Sequence, residues 1–263
     1  MRTILLSAIV LIASLIPGAA SAQPTVSSEI APLGKLRVAT NAGNPMFVKR
    51  GPDGKVIGGV AADVGKFIAE RLKVPFELVP YPSPNAFVQS LGKGEWDIGI
   101  GPPTPLALEK AELGRDLLLV DHVYVAAPGR KFADTAQVDR PGVKIGTGRN
   151  SAQDQFLSRT LTSAELVRMT GGQSDAIEAL RSGKTNVWAS NATIAEAIAA
   201  GLPGAKIIPG AFNKERSSVL LPKGRSSAAQ GRLVEIVNEA KKTGIVQKAI
   251  DQAGLRGVQV APN

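Results

Sequence analysis

Residues Gly58 to Tyr81 read GGVAADVGKFIAERLKVPFELVPY, and the periodicity of this stretch decides the fold. Val64, Phe67, Ile68 and Leu72 recur at helical spacing within Val60 to Leu72, which puts them on one apolar face. Phe76-Glu77-Leu78-Val79 then takes up the alternation of a strand. Upstream, Leu36-Arg37-Val38-Ala39 reads as the first strand and Gly51-Pro52-Asp53-Gly54 as a turn. Downstream, Asn85 to Leu91 is a helix that Gly92 and Gly94 stop, and Asp97-Ile98-Gly99-Ile100 opens the next strand. Strands that alternate with amphipathic helices predict α/β layers with largely parallel sheets.

An internal echo divides the chain in two. Leu91, Gly94 and Asp97 stand at the same mutual spacing as Leu180, Gly183 and Asn186. In each set the Leu anchors a last helical turn, the Gly permits a left-handed cap, and the polar residue leads into an apolar strand. A loop rich in small or polar residues follows each of those strands, at the end where open α/β sheets hold their ligands.

The amino terminus sets the compartment. Arg2 precedes an apolar run from Ile4 to Ile16, then Pro17, Gly18 and Ala20-Ser21-Ala22, the order of a secretory signal peptide ending in an A-x-A cleavage site. The run is shorter than the roughly 20 residues a membrane-spanning helix needs. Residues 1–22 are therefore expected to be a cleaved signal peptide and the mature protein to be periplasmic. The chain has no Cys, which excludes disulfides, thiol nucleophiles, zinc-thiolate sites and a lipid-modified amino terminus. A net charge of +9 raises the question of nucleic acid. Its Lys and Arg are scattered, and two Trp, two Tyr and seven Phe make a poor stacking platform, so no nucleic-acid partner is expected.

The runs LRVATNAGNPMF from Leu36, GGVAADVGKFIAERLKVPFELVPY from Gly58, LGKGEWDI from Leu91 and KIGTGRNSAQDQFL from Lys144 together resemble the family 3 extracellular solute-binding proteins, the periplasmic amino-acid-binding-protein-like family. The likeness runs in the family's order from about Leu36 to about Ala253. It implies the type II periplasmic binding fold: two Rossmann-like α/β lobes joined by two hinge strands, closing on one small polar ligand that a membrane permease with an ATPase takes up. By that resemblance lobe one is residues 31–125 plus 217–263 and lobe two is 126–216, with helices Ala228 to Lys241 and Val246 to Ala253 returning to lobe one. It also implies a monomeric transport protein of an ABC importer, without enzymatic activity and without cofactors.

Candidate ligand contacts follow loop by loop. Asn41 and Asn44 supply amides that both donate and accept, and Phe47 either packs over the ligand, as the family's aromatic does, or fills the core. In Gly101-Pro102-Pro103-Thr104-Pro105, Pro102 and Thr104 border the cleft. There the family carries an Arg shortly after the Thr to clamp a carboxylate, whereas this chain has Ala107 and Leu108. Trp188 and Asn191 form a second wall, and the resemblance would place an Asp at Asn191 to face an α-ammonium. Arg149, Asn150 and Ser151 gather at a helix start, where Ser151 is a good cap and free amides beside Arg149 can hold an anion. A plain cap with a solvent-facing Arg is the simpler alternative. Together these exchanges predict an anionic solute anchored by Arg149.

His122 stands alone in the apolar stretch Leu117 to Ala127, without Cys or clustered carboxylates, and is read as structural, so no metal site is expected. Two other functions compete with solute capture. One is an exported lyase, similar to the few dehydratases of this fold, with Asp154 or Glu215 beside Arg149 as acid and anion stabiliser. The other is a periplasmic accessory subunit of a dehydrogenase or sensor. The mature protein is expected to begin at Gln23, and amino-terminal sequencing that found Met1 intact on the exported protein would overturn the export reading.

Overall fold

The computed structural model describes residues 25–170 and 172–262; the expected signal peptide lies outside them. The first half begins with α1 (Val26–Ile30), β1 (Leu36–Asn41), a hairpin of β2 (Lys49–Arg50) and β3 (Val56–Gly58), and α2 (Val60–Leu72). It continues through β4 (Phe76–Tyr81), α3 (Pro84–Ser90), β5 (Ile98–Gly101), α4 (Pro105–Leu108) and the long β6 (Ala111–Ala126). The second half contains β7 (Lys144–Gly148), α5 (Ala152–Thr160), β8 (Glu165–Met169), α6 (Gln173–Arg181), β9 (Val187–Asn191), α7 (Ala192–Gly201) and β10 (Lys206–Ile207). The chain then returns through β11 (Asn213–Pro222), α8 (Ser227–Lys242), α9 (Ile245–Ala253) and β12 (Val258–Val260).

Sheet order explains why two lobes form. The main path runs β4-β1-β5-β11-β6-β9-β7-β8. On one side β1 pairs in parallel with β4 and β5, and on the other β7 pairs in parallel with β8 and β9. Between them β11 and β6 run antiparallel to each other over Asn213↔His122 through Pro222↔Ala111. β5 joins this pair through β11 and β9 joins it through β6. Two parallel β-α-β units are thus bolted to one antiparallel pair of crossing strands.

Each lobe has its own core. Val64, Phe67, Ile68 and Leu72 are buried against Leu36, Val38, Ile98 and Ile100, with Leu233, Ile236, Val237 and Ile250 of α8 and α9 in the same cluster. The helical face read from residues 60–72 is therefore the one that packs on the sheet. Ala176, Ala179 and Leu180 of α6 meet Trp188 and Ile198 in the opposite lobe.

The sequence echo is an echo of hydrogen bonds. Asp97 Oδ2 accepts from the Arg37 backbone N–H at 2.8 Å, and Asn186 Oδ1 accepts from the Lys144 backbone N–H at 2.7 Å. The backbone N–H groups of Asp97 and Asn186 answer by donating to the carbonyls of Arg37 and Lys144, at 2.9 and 2.8 Å. In both lobes, then, one polar side chain ties the entry of a strand to the entry of its parallel neighbour. Gly94 and Gly183, which set up these turns, each have φ of 72°, and Leu91 and Leu180 are each 2% exposed. Thr40 and Thr147 extend the match by donating to the carbonyls of Ile100 and Ala189.

Two local expectations are adjusted. The helix read from Asn85 starts at Pro84, because Ser83 caps it by accepting from the Ala86 N–H at 3.2 Å and Pro fits the first helical position. The strand seen in the apolar stretch from Leu117 begins six residues earlier, at Ala111, because Glu112, Arg115 and Asp116 find polar partners across the ladder and on α8. The turn at Gly51–Gly54 belongs to the β2-β3 hairpin.

Asp97 is fully buried and also holds the Arg37 guanidinium at 2.8 Å. Asp97→Ala should lower unfolding free energy by about 3 kcal/mol, since it orphans a largely buried guanidinium and a backbone donor. Asn186→Ala, which removes a neutral bond, should cost about 1 kcal/mol. Urea denaturation of the two variants measures the difference.

Candidate functional site

A cavity lies between the lobes at the carboxyl ends of β1, β5, β7 and β9, and the crossing strands β6 and β11 form its floor. It encloses about 100 Å³. The loop after β1 is built from its own amides. Asn41 Oδ1 accepts from the Gly43 N–H at 3.1 Å, and Asn44 Oδ1 accepts from the Met46 N–H at 3.0 Å. Both carbonyl oxygens are committed to the loop, so the NH₂ groups are what the two side chains have left to offer. Gly59 fixes the same loop from behind. Its φ is 109°, and a Cβ there would stand 2.6 Å from the Phe47 carbonyl oxygen, a position open only to glycine.

Helix caps supply the next walls. Thr104 Oγ1 caps α4 by accepting from the Ala107 N–H at 3.2 Å. Ser151 Oγ caps α5 through the Asp154 N–H at 3.1 Å, and Asn191 Oδ1 caps α7 through the Ile194 N–H at 3.0 Å. All three are buried. Because its oxygen is held by the cap, Asn191 turns toward any ligand as a donor, unlike the carboxylate that the family resemblance implied at this position.

Of the ten residues expected at the site, Asn41, Asn44, Phe47, Pro102, Thr104, Asn150, Ser151, Trp188 and Asn191 line this one cavity. Phe47 does so while also belonging to the lobe-one core, so both of its readings describe the same ring. Arg149 is different. Its side chain is exposed and lies outside the cavity lining, because β7 ends at Gly148 and the turn to Ser151 directs Asn150, at φ 58°, inward. The expected arginine anchor is thus replaced by the solvent-facing Arg that was its alternative. Ala107 is buried and Leu108 and Lys110 are exposed, so no basic side chain fills the clamp position either.

Four polar floor residues were not singled out from the sequence as ligand contacts: His122, Glu215, Arg216 and Ser217. His122 is 2% exposed, and burial lowers its pKa to about 3, so the ring is neutral. Its Nδ1 lies 3.4 Å from Asn213 Nδ2, and Phe212 packs 5.8 Å away. Glu215 has its pKa raised by burial, against the opposing pull of Arg216 and Arg159. Arg216 itself is mostly exposed and paired to Asp116 at 3.2 Å. Ser217 Oγ is buried without a hydrogen-bond partner among the described residues. Asp154, the other acid considered for catalysis, is held by Arg168 at 2.7 Å and by the Asn150 N–H at 2.8 Å, so its role is to order the α5 start. Among the described residues no cluster of three or more His, Asp or Glu could hold a metal ion.

Two hydrogen bonds cross the mouth of the cavity. Asn150 Nδ2 donates to Asn85 Oδ1 at 2.7 Å, and the Leu106 N–H donates to Gln155 Oε1 at 3.3 Å. Gln155 Nε2 also donates to the Asn150 carbonyl at 3.2 Å, which links the two crossings into one strap.

No family model and no curated protein sequence matches the chain. Solved structures do. The P235GK mutant of ArgBP from T. maritima superposes with a TM-score of 0.74 at 21% identity, covering 88% of this chain and 99% of that one. The ancestral amino acid-binding protein AncCDT-1, a precursor of cyclohexadienyl dehydratase, gives 0.72 at 20% identity over 87% and 99%. A putative binding component of an ABC transporter from Wolinella succinogenes, complexed with lysine, gives 0.72 at 17% over 84% and 95%. These likenesses show the type II periplasmic binding fold.

A buried neutral His makes stability depend on pH. Its folded pKa of about 3 lies below the unfolded value, so the unfolded chain binds the extra proton between the two. Stability should be fully present above about pH 6.5 and fall by roughly 1.4 kcal/mol per pH unit as the medium is acidified toward pH 3. Urea denaturation of the wild type at pH 7 and pH 4.5 should show this loss, and His122→Gln should show less of it. An equal acid sensitivity in the two proteins would exclude His122 as its source.

Proposed function

We propose that this protein captures a small polar organic solute between its two lobes outside the cytoplasmic membrane and delivers it to the permease of an ABC-type importer. The observation that carries the reading is a single cavity whose walls come from both lobes and whose floor is the crossing strand pair. A ligand in that position contacts both lobes at once and so favours the closed arrangement over the open one. The division at residues 126 and 216, a monomeric state and a periplasmic location belong to the same proposal, the last supported by the sequence of residues 1–22. An anionic preference is not retained in it, because Arg149, its expected anchor, is exposed and outside the cavity lining.

A lyase on this fold is the second reading, and one observation favours it: Glu215 sits in the cavity with a raised pKa, as a proton donor would. The two separate cleanly. Incubation of the solute recovered from natively extracted protein with stoichiometric protein should return it chemically unchanged; conversion to a dehydrated product would install the lyase reading.

Capture should be accompanied by closure. Small-angle scattering of ligand-stripped protein should show a smaller radius of gyration once the recovered solute is added to saturation, and an unchanged radius would count against a two-lobe trap.

A further inference from the structure

The cavity floor holds one carboxylate that no ion pair among the described residues engages, whereas its one arginine, Arg216, is paired to Asp116. On β11, Glu215 and Ser217 are two residues apart and point to the same face, and both line the cavity. The Glu215 carboxylate has no ion pair or hydrogen bond among the described residues, and Arg216 and Arg159 reach it only through longer-range electrostatics. Arg216 already serves Asp116, Arg149 is exposed outside the cavity, and His122 is neutral. Beside the carboxylate, the Ser217 hydroxyl is 2% exposed and unpartnered. A buried hydroxyl without a partner, on the same strand face as a half-buried carboxylate without a direct ion pair, is costly unless a ligand supplies the missing groups.

We propose that the cavity selects a small organic cation of net single positive charge, whose ammonium or guanidinium head rests on the Glu215 carboxylate and donates to the Ser217 hydroxyl. This rests on the solute-capture reading and names its ligand class. A ligand of that charge offsets the Glu215 carboxylate. A zwitterion leaves Glu215 uncompensated and brings a carboxylate for which Ala107 and Leu108 offer no cation; an anion adds repulsion. The NH₂ groups of Asn41, Asn44 and Asn191 suit neutral acceptors on the remainder of the molecule, and the rings of Phe47 and Trp188 in the lining are compatible with a cation.

Calorimetry on ligand-stripped exported protein tests this with butylamine, butylguanidine, L-lysine, L-glutamine and succinate as probes. At least one of the three cations should bind, and more tightly than glutamine or succinate. Glu215→Gln should weaken that cation by on the order of tenfold to a hundredfold, while the melting temperature of the unliganded protein stays level or rises because an uncompensated charge has gone. Ser217→Ala should weaken it by several-fold. Absence of binding by every cation, tighter binding of glutamine or succinate, or a Glu215→Gln affinity within about twofold of wild type overturns the proposal. The compound recovered from native protein separates the two readings. A neutral or anionic compound that compacts the wild type removes the charge assignment and leaves capture standing, whereas no recovered compound and no binding by any probe removes both.

Discussion

The antiparallel ladder between β6 and β11 is the constraint on which everything else depends. It pairs Asn213 with His122 at one end and Pro222 with Ala111 at the other, and each parallel unit is attached to one strand of it. Neither lobe could be rotated freely without disturbing hydrogen bonds in this pair, so relative motion must be taken up along its length. The register shifts at Ser217/Ser218 and Val219/Leu220 are local irregularities of the kind that bend a strand and increase its twist. Ser217 is both a register break and a cavity residue, which brings bending and ligand contact to the same few peptide units.

Much of the fold could be read because local chemistry repeats. The helical face of residues 60–72 depends on spacing alone, and the Asp97 and Asn186 positions could be matched because a Leu and a Gly precede each at fixed intervals. Spacing could not show that the two side chains perform the same act on Arg37 and Lys144, since that bond crosses about half a lobe of sequence. The walls of the site were legible for a related reason: Thr104, Ser151 and Asn191 are helix caps, and caps follow strands at the ligand end of such sheets. The floor was not. Glu215 and Ser217 sit in a return strand rich in charged residues, where alternation distinguishes two faces without indicating which one meets a cavity. Arg149 misled because charge and position beside a helix start are visible in sequence, whereas the direction of a side chain leaving a tight turn is not.

Charge and polarity in the cleft are divided between its parts. Three amide oxygens at the walls are held by backbone N–H groups of their own loops or helices, so rigidity and donor character arise from the same bonds. The floor carries the acceptors, Glu215 and Ser217. Such a partition would orient a bound molecule end to end, since Arg216, the basic residue in the lining, is already paired to Asp116.

The strap of Asn85, Asn150, Gln155 and Leu106 has a consequence for energy use. Its two crossings are neutral hydrogen bonds, each worth about 0.5–1.5 kcal/mol, and both would be lost if the lobes parted. Together they raise the standing fraction of empty molecules that look loaded by roughly an order of magnitude. On the proposed solute-capture reading, an importer that recognises the closed outline would then meet empty decoys in proportion. On that reading the same bonds would slow reopening after capture. The strength of that strap would therefore set a compromise between retention and idle docking, located in four residues of which Asn150 alone lines the cavity.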